Sequence, residues 1–351
     1  IAALAAALAW GGVVCLTPQR RLRAWALVPG LALLVTALVP RWTAPLEEAT
    51  LALRWRGQGV GRRVSPSAPG PRLVASRETR YQNLALIASA DLCTLYGNGQ
   101  VLFSFPDIPA CETAVHFVMA QKPDARRVLL LGGNPLGEIP QLLRYPLEEL
   151  VYVEEDPGIG RLLAATHGVA YRRVAADPRV RIEHRDPVRF VRLCAQTFDV
   201  ILLRVPEPTT AGLNRFWTEE FFRDVGCRLA ADGLVHAAVE TSERLEQDAA
   251  RLGSVVYQTL RQVFPVVRVT AGVPTQFFAG HARCPVTFDR ETLYRRWLAA
   301  GITSEYFRAE YFLGADEITP EKVIGAERRL AVAGSPANTV WRPVAYYYYL
   351  M

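Results

Sequence analysis

Three features of the chain combine into chemistry. They are a glycine turn, Gly132-Gly133-Asn134-Pro135-Leu136-Gly137, an acid, Glu154, placed 22 residues after Gly132, and a second acid, Asp186, behind the run RVRIEH. A glycine turn directly after a buried strand and opening a helix lets backbone N–H groups approach a ligand closely. An acid at the tip of the next strand can then accept both hydroxyls of a ribose. Asp186, expected at the same sheet edge, is placed to accept from an adenine amino group. The turn is not the dinucleotide GxGxxG pattern, so the spacing points to a nucleoside. Taken singly, the glycines also fit a tight strand-to-helix connection, and Asp186 a solvated loop residue.

Such a site needs a sheet whose strand tips lie side by side. Apolar runs at Val128–Leu131, Leu150–Val153, Val180–His184, Val200–Leu203, Leu234–Val239 and Val266–Thr270 alternate with helical stretches. That alternation predicts a Rossmann-like α/β domain, a doubly wound, mostly parallel sheet covered on both faces, with class I methyltransferase-like character. Ahead of it, Asn83–Ser89, Leu92–Tyr96 and Val101–Phe105 bracket Gly97-Asn98-Gly99, a strong hairpin turn. The expected small antiparallel sheet leads into a helix over Ala110–Ala120. Thr287–Ala300 and Thr319–Ala333 read as helices, and no internal repeat is visible.

The chain of 351 residues, half of them hydrophobic, has room for one large domain and an accessory segment. Its net charge of +6 comes almost wholly from arginine, since the lysines are Lys122 and Lys322 alone. Many of these arginines flank apolar runs near the N-terminus instead of forming a stripe interleaved with aromatics, which argues against nucleic acid and for a membrane as partner. Ile1–Leu16 and Ala24–Pro40 are uncharged runs of 16 and 17 residues, and they predict a membrane hairpin. A pair of buried helices, or a signal sequence, is the alternative. Gly57–Pro71 has linker composition. The expected organisation is a hairpin and flank over 1–56, a linker over 57–72, a small β subdomain over 73–122, a nucleoside-binding domain over 123–285 and a helical extension over 286–351. The closing Tyr346–Met351 reads either as the aromatic start of another membrane segment or as a tail packed on the domain. The cysteines, at 15, 93, 111, 194, 227 and 284, include no CxxC, and the histidines are dispersed, so neither a metal nor a disulfide framework is expected.

Several motifs in order resemble the spermidine synthase (polyamine aminopropyltransferase) family, specifically its membrane-attached branch. They are Tyr81-Gln82, Gly99-Gln100, Asp107 with Glu112 and His116, Val153-Glu154-Glu155-Asp156, Asp177–Val180 leading to Asp186, and Leu213–Phe222. The resemblance runs from about Tyr81 to Gly280. It implies that Gln82, Gly132, Gly133, Gly137, Glu154 and Asp186 hold decarboxylated S-adenosylmethionine or S-adenosylmethionine as co-substrate. It also implies that Asp107, Glu112 and His116 line an acceptor pocket and that the protein is a homodimer; together with the two apolar runs, the expectation is a multi-pass membrane protein whose soluble domain is cytoplasmic, with the arginines after both runs giving no clean vote on topology.

The chain departs from the family where the chemistry is done. The family's GGGDGG acid is Pro135, and its D-x-x-D-P acids are Arg204 and Glu207; the tyrosine and histidine before Glu112 are Ala110 and Cys111. Aminopropyl transfer to putrescine uses acids twice, to hold one ammonium and to strip the other. Arg204 cannot act as a base at neutral pH, and at ~4 Å it would repel a cation by about 1 to 4 kcal/mol. Glu207, three residues on, is the candidate base; its alternative role is to pair with Arg204. Three readings follow: an aminopropyltransferase-like enzyme with an altered, anionic acceptor, a non-catalytic nucleoside-binding or scaffold domain, or an S-adenosylmethionine-dependent methyltransferase.

Overall fold

The computed structural model describes residues 70–239, 247–332 and 335–350. The expected hairpin over 1–56 and most of the linker lie outside them. Val74–Met351 forms one compact unit, and the architecture below is that of this unit.

Eleven strands are described in two sheets. The first is antiparallel, in the order β1-β2-β3-β4, from β1 (Arg72–Glu78), β2 (Asn83–Ser89), β3 (Leu92–Gly97) and β4 (Gln100–Phe105). Asn98 and Gly99 both take positive φ, 52° and 85°, as the Asn-Gly hairpin turn demands. The second sheet holds β5 (Arg127–Gly132), β6 (Glu149–Val153), β7 (Val180–Glu183), β8 (Phe198–Arg204), β9 (Leu229–Val239), β10 (Val266–Val269) and β11 (Thr275–Gly280). Its order is β10-β11-β9-β8-β5-β6-β7, with β9 through β7 parallel and β11 and β10 antiparallel additions at one edge. Strands β1 and β11 are additions to the pattern read from sequence. TQFFAG in β11 sits behind a proline and glycine cluster and is defined by its pairing with β9, Phe277 opposite Ala237, which no local signal reveals.

Successive residues of a strand point to opposite faces, and here each face has its own core. Leu129, Leu131, Val151, Ile201 and Leu203 pack with Phe221, Phe222, Val255 and Leu260 from the helices Glu219–Gly226 and Gln247–Val263. Leu130, Leu150, Tyr152, Val200 and Leu202 pack on the other side with Phe117, Val118 and Ile139 from Ile108–Met119 and Glu138–Leu142. Burial on both faces explains why these strands read as unbroken apolar runs. A third cluster joins Leu84, Leu86, Leu95 and Phe105 of the small sheet to Ile159, Leu162 and Leu163 of the helix Pro157–Thr166, which brings the β3–β4 hairpin to the tips of the large sheet.

Beyond the sheets lie the helices Arg290–Ala300, Glu310–Gly314, Pro320–Val332 and Val344–Leu350. Ala345 is fully buried and Tyr348 packs against the same core, whereas Tyr347 is exposed. Among the described residues no helix is long and apolar enough to cross a membrane.

Candidate active site

The parallel strands end side by side in the order β8, β5, β6, β7, and Gly132 stands in register with Arg204. Above these tips lies a cleft of about 870 Å³, walled by Gly132, Gly133, Glu154, Pro187 and Arg204 and roofed by the β3–β4 hairpin and the loop from Val205 to Phe216. Gly132 and Gly133 take φ of 71° and 89°. A Cβ on Gly133 would lie 2.5 Å from Glu138 Oε2 and 2.8 Å from Arg204 Cβ, so glycine is required by conformation and by space.

At the β6 tip, Glu154 Oε1 accepts from the Asp156 N–H at 2.9 Å. Burial raises the Glu154 carboxyl to about 7; the Asp156 N–H opposes this, while the charges of Asp156 and Glu155 add to it. Asp156 locks the floor of the site. Its Oδ1 accepts from the Gly158 N–H at 2.8 Å, capping the helix Pro157–Thr166, and its Oδ2 accepts from Thr79 Oγ1 at 2.8 Å and Gln82 Nε2 at 3.3 Å. Gln82 is thereby held at the cleft, and a Cβ on Gly97 would collide with its Oε1. Arg215, which the sequence reading did not single out, donates to Glu155 Oε2 at 2.7 Å and Asp186 Oδ2 at 2.5 Å, and lies over the Phe216 ring at 4.7 Å.

Arg204 is not an open positive charge. Its Nε donates to Glu138 Oε1 at 2.6 Å, Nη1 to His236 Nδ1 at 2.9 Å and Nη2 to the Ala114 carbonyl at 3.1 Å. His236 Nε2 meets Gln276 Oε1 at 3.0 Å, which fixes the neutral tautomer with its proton on Nε2. Burial, reinforced by Arg204, holds His236 far below its ordinary pKa. Glu138 Oε2 accepts from the Asn134 N–H at 3.0 Å. The arginine in the expected acidic slot has brought its own buried counterion, a residue that carries no signal in the sequence because its partner lies 66 positions away.

Residues 109–280 match the spermine/spermidine synthase domain family. A polyamine aminopropyltransferase from Streptococcus pneumoniae is 32% identical over 234 residues, covering 62% of this chain and 77% of that protein. This chain belongs to the polyamine aminopropyltransferase family. The fold agrees: a spermidine synthase from Thermotoga maritima superposes with a TM-score of 0.59 at 23% identity over 73% of this chain and 88% of that one. A spermidine synthase in complex with the transition-state analogue AdoDATO gives 0.60, at the same identity and coverage.

Among the aminopropyltransferase positions expected from sequence, Gln82, Gly132, Gly133, Glu154 and Arg204 meet at the cleft. Gly137 does not. It precedes the helix Glu138–Leu142 as its N-cap, and a Cβ there would collide with Cys111 Sγ, so its role is packing behind the turn. Asp186 stands beside Pro187 at the rim, where Oδ1 caps the helix Pro187–Leu193 through the Val188 N–H at 2.9 Å and Oδ2 is engaged by Arg215. Glu207 is half-buried in the loop after β8 and is not among the lining residues.

The three residues expected at an acceptor pocket, Asp107, Glu112 and His116, are not among those that line this cleft. Asp107 caps the helix Ile108–Met119, with Oδ1 accepting from the Ala110 N–H at 3.2 Å. Glu112 is fully buried and accepts from the N–H groups of Glu305, Tyr306 and Phe307 at 2.8, 2.7 and 2.9 Å. Burial pushes its carboxyl up, but these donors outweigh that and hold it below its ordinary value. His116 is also fully buried, with Nδ1 against Tyr145 Oη at 3.0 Å and its ring packed on Trp297, and burial lowers it to about 4. Residues from the helical extension occupy these side chains, which family spacing alone could not reveal.

Proposed function

We propose that the cleft binds a sulfonium adenosine, decarboxylated S-adenosylmethionine or its parent, in an aminopropyltransferase-like domain that does not serve putrescine efficiently. Glu154 accepts the ribose hydroxyls, Asp186 with Pro187 meets the adenine edge, and the glycine turn admits the 5′ substituent. Family membership supports the nucleoside part, as does the fold shared with a spermidine synthase that holds AdoDATO.

One observation carries the statement about putrescine. The carboxylates lining the cleft are Glu154, Glu155 and Asp156, all on the loop after β6, while the β5 and β8 tips contribute Gly132, Gly133 and Arg204. In aminopropyl transfer an amine nitrogen attacks the carbon beside the sulfonium, the C–S bond breaks, methylthioadenosine leaves, and a proton must depart from the new ammonium. A diamine arriving as a dication finds no acid there to strip it or to hold its distal end. A non-catalytic nucleoside-binding domain is the second reading, favoured by the locking of Arg204 into a neutral buried network.

Calorimetric titration with methylthioadenosine, S-adenosylmethionine and decarboxylated S-adenosylmethionine, followed by turnover assays on putrescine, tests both parts. Binding is expected with slow or undetectable spermidine formation. Turnover on the order of 1 s⁻¹ or faster, in the ordinary enzyme range, would overturn the putrescine statement. Failure of every nucleoside to bind would overturn the whole reading. Attachment to a membrane through 1–56 rests on the two uncharged runs in sequence, and the full chain is expected to resist alkaline extraction from membranes.

A further inference from the structure

Two asparagines are buried behind the cleft, Asn214 with 4% of its surface exposed and Asn338 with none. A buried amide must find its partners within the protein, and Asn338 finds them in three places. Its N–H donates to Thr259 Oγ1 at 2.8 Å, in the helix Gln247–Val263. Its Nδ2 donates to Asn214 Oδ1 at 3.0 Å and to the Trp217 carbonyl at 2.9 Å, and its carbonyl accepts from the Glu219 N–H at 2.8 Å. Its Oδ1 accepts from the Ala345 N–H at 3.1 Å, and Asn214 Oδ1 also accepts from the Tyr346 N–H at 3.3 Å, both in the helix Val344–Leu350. The two side chains thus join the C-terminal segment to the stretch 214–219.

That stretch is where the loop roofing the cleft ends. Leu213, Arg215 and Phe216, on either side of Asn214, line the cleft. Trp217 Nε1 donates at 3.1 Å to the carbonyl of Pro206, another lining residue, and so ties the far end of the loop to the same point. Val344, Ala345 and Tyr348 pack in one core with Leu213, Phe216 and Trp217. We infer that Asn338 is a positioning residue for the nucleoside site, and that the C-terminal segment 338–348 is a brace whose docking sets the roof loop for binding. This rests on the nucleoside reading above. Arg215 holds the loop from the strand tips, whereas Asn338 holds it from behind. A ligand that needs the loop in place and a segment that keeps it there favour each other, and linkage makes the effect reciprocal. Nucleoside binding therefore tightens the docking of 338–348, as that docking tightens nucleoside binding.

Hydrogen exchange of the full chain, with and without saturating methylthioadenosine, tests this. The amides of Glu305, Tyr306 and Phe307, which Glu112 holds, serve as the reference for overall stabilisation by the ligand. The slowing at Asn338, Ala345 and Tyr346 on binding is expected to exceed theirs by about fivefold or more, the lower end of ordinary coupling. In Asn338→Ala, methylthioadenosine affinity is expected to fall on the order of tenfold. An asparagine with a structural role alone would lower stability on removal and leave affinity unchanged. Slowing at 338–346 no greater than at 305–307 overturns the inference and leaves the nucleoside reading standing, and so does wild-type affinity in a folded Asn338→Ala protein. If methylthioadenosine and both sulfonium compounds all fail to bind, the nucleoside reading falls and takes this inference with it. The exchange comparison on the wild type decides the matter even if the variant does not fold.

Discussion

Glu154 is a carboxylate whose ordinary value of 4.5 is raised to about 7 by burial. Ribose hydroxyls donate to the ionised form, so nucleoside affinity should rise with pH up to about 7 and then level off, weakening by up to about tenfold per unit below that. Titration from pH 5.5 to 8.5 reads this directly, and Glu154→Gln should flatten the profile and weaken binding by about 1 to 3 kcal/mol. The same shift acts on stability with a defined sign. The folded state holds this proton more tightly than the unfolded state, so the contribution is fully present below 4.5 and is lost as pH rises to about 7, by roughly 3 kcal/mol at most. The difference in unfolding free energy between wild type and Glu154→Gln should therefore change across that window and stay constant above it. The Arg204–Glu138 pair gives a second residue-level test. Removing one partner strands a buried charge, so Glu138→Gln or Arg204→Gln alone should cost about 3 to 5 kcal/mol, and the double variant less than the sum of the two. Denaturant unfolding of the three variants completes the cycle.

At the scale of elements, the loop from Val205 to Phe216 is tied across two strand tips by Arg215, which joins Glu155 after β6 to Asp186 after β7. Such a tie orders the loop before a ligand arrives and lowers the entropy cost of binding. Arg215→Ala should weaken methylthioadenosine binding by about 1 to 2 kcal/mol and speed hydrogen exchange in that loop, since charge-assisted hydrogen bonds of this kind contribute about that much. Exchange rates unchanged from the wild type would show that the loop is held by its apolar contacts instead. The hairpin opposite is set differently, by the positive φ of Asn98 and Gly99 and by the packing of Leu84, Leu86, Leu95 and Phe105 on the helix after β6.

For the whole molecule, Glu112 joins parts of the chain nearly two hundred residues apart by accepting three backbone N–H groups from 305–307. Its role is to dock the helical extension onto the sheet domain. Glu112→Ala removes the acceptor of three N–H groups, of which that of Phe307 is buried, and should destabilise the protein by about 1 to 3 kcal/mol, with little effect on nucleoside affinity. A large loss of affinity at unchanged stability would return Glu112 to the binding site. Beside it, Trp297 and Phe307 close over His116, so the extension covers the face of Ile108–Met119 that the family resemblance assigned to the acceptor.

Sequence by itself determined the parallel core of the sheet, the hairpin turn, the glycine turn and Glu154. Each rests on a local rule: unbroken apolar runs for strands buried on both faces, positive φ at Asn-Gly, and an acid at a fixed distance after a glycine turn. Tertiary structure alone decided the rest. Glu138 as counterion to Arg204, Arg215 as the tie between strand tips, β11 between β9 and β10, and the removal of Glu112 and His116 from the cleft all depend on partners that are distant along the chain. A residue's type limits what it can bind. Whether a buried charge faces a ligand or another side chain is set by what the fold packs against it, because a charge deprived of water takes whichever partner is within reach.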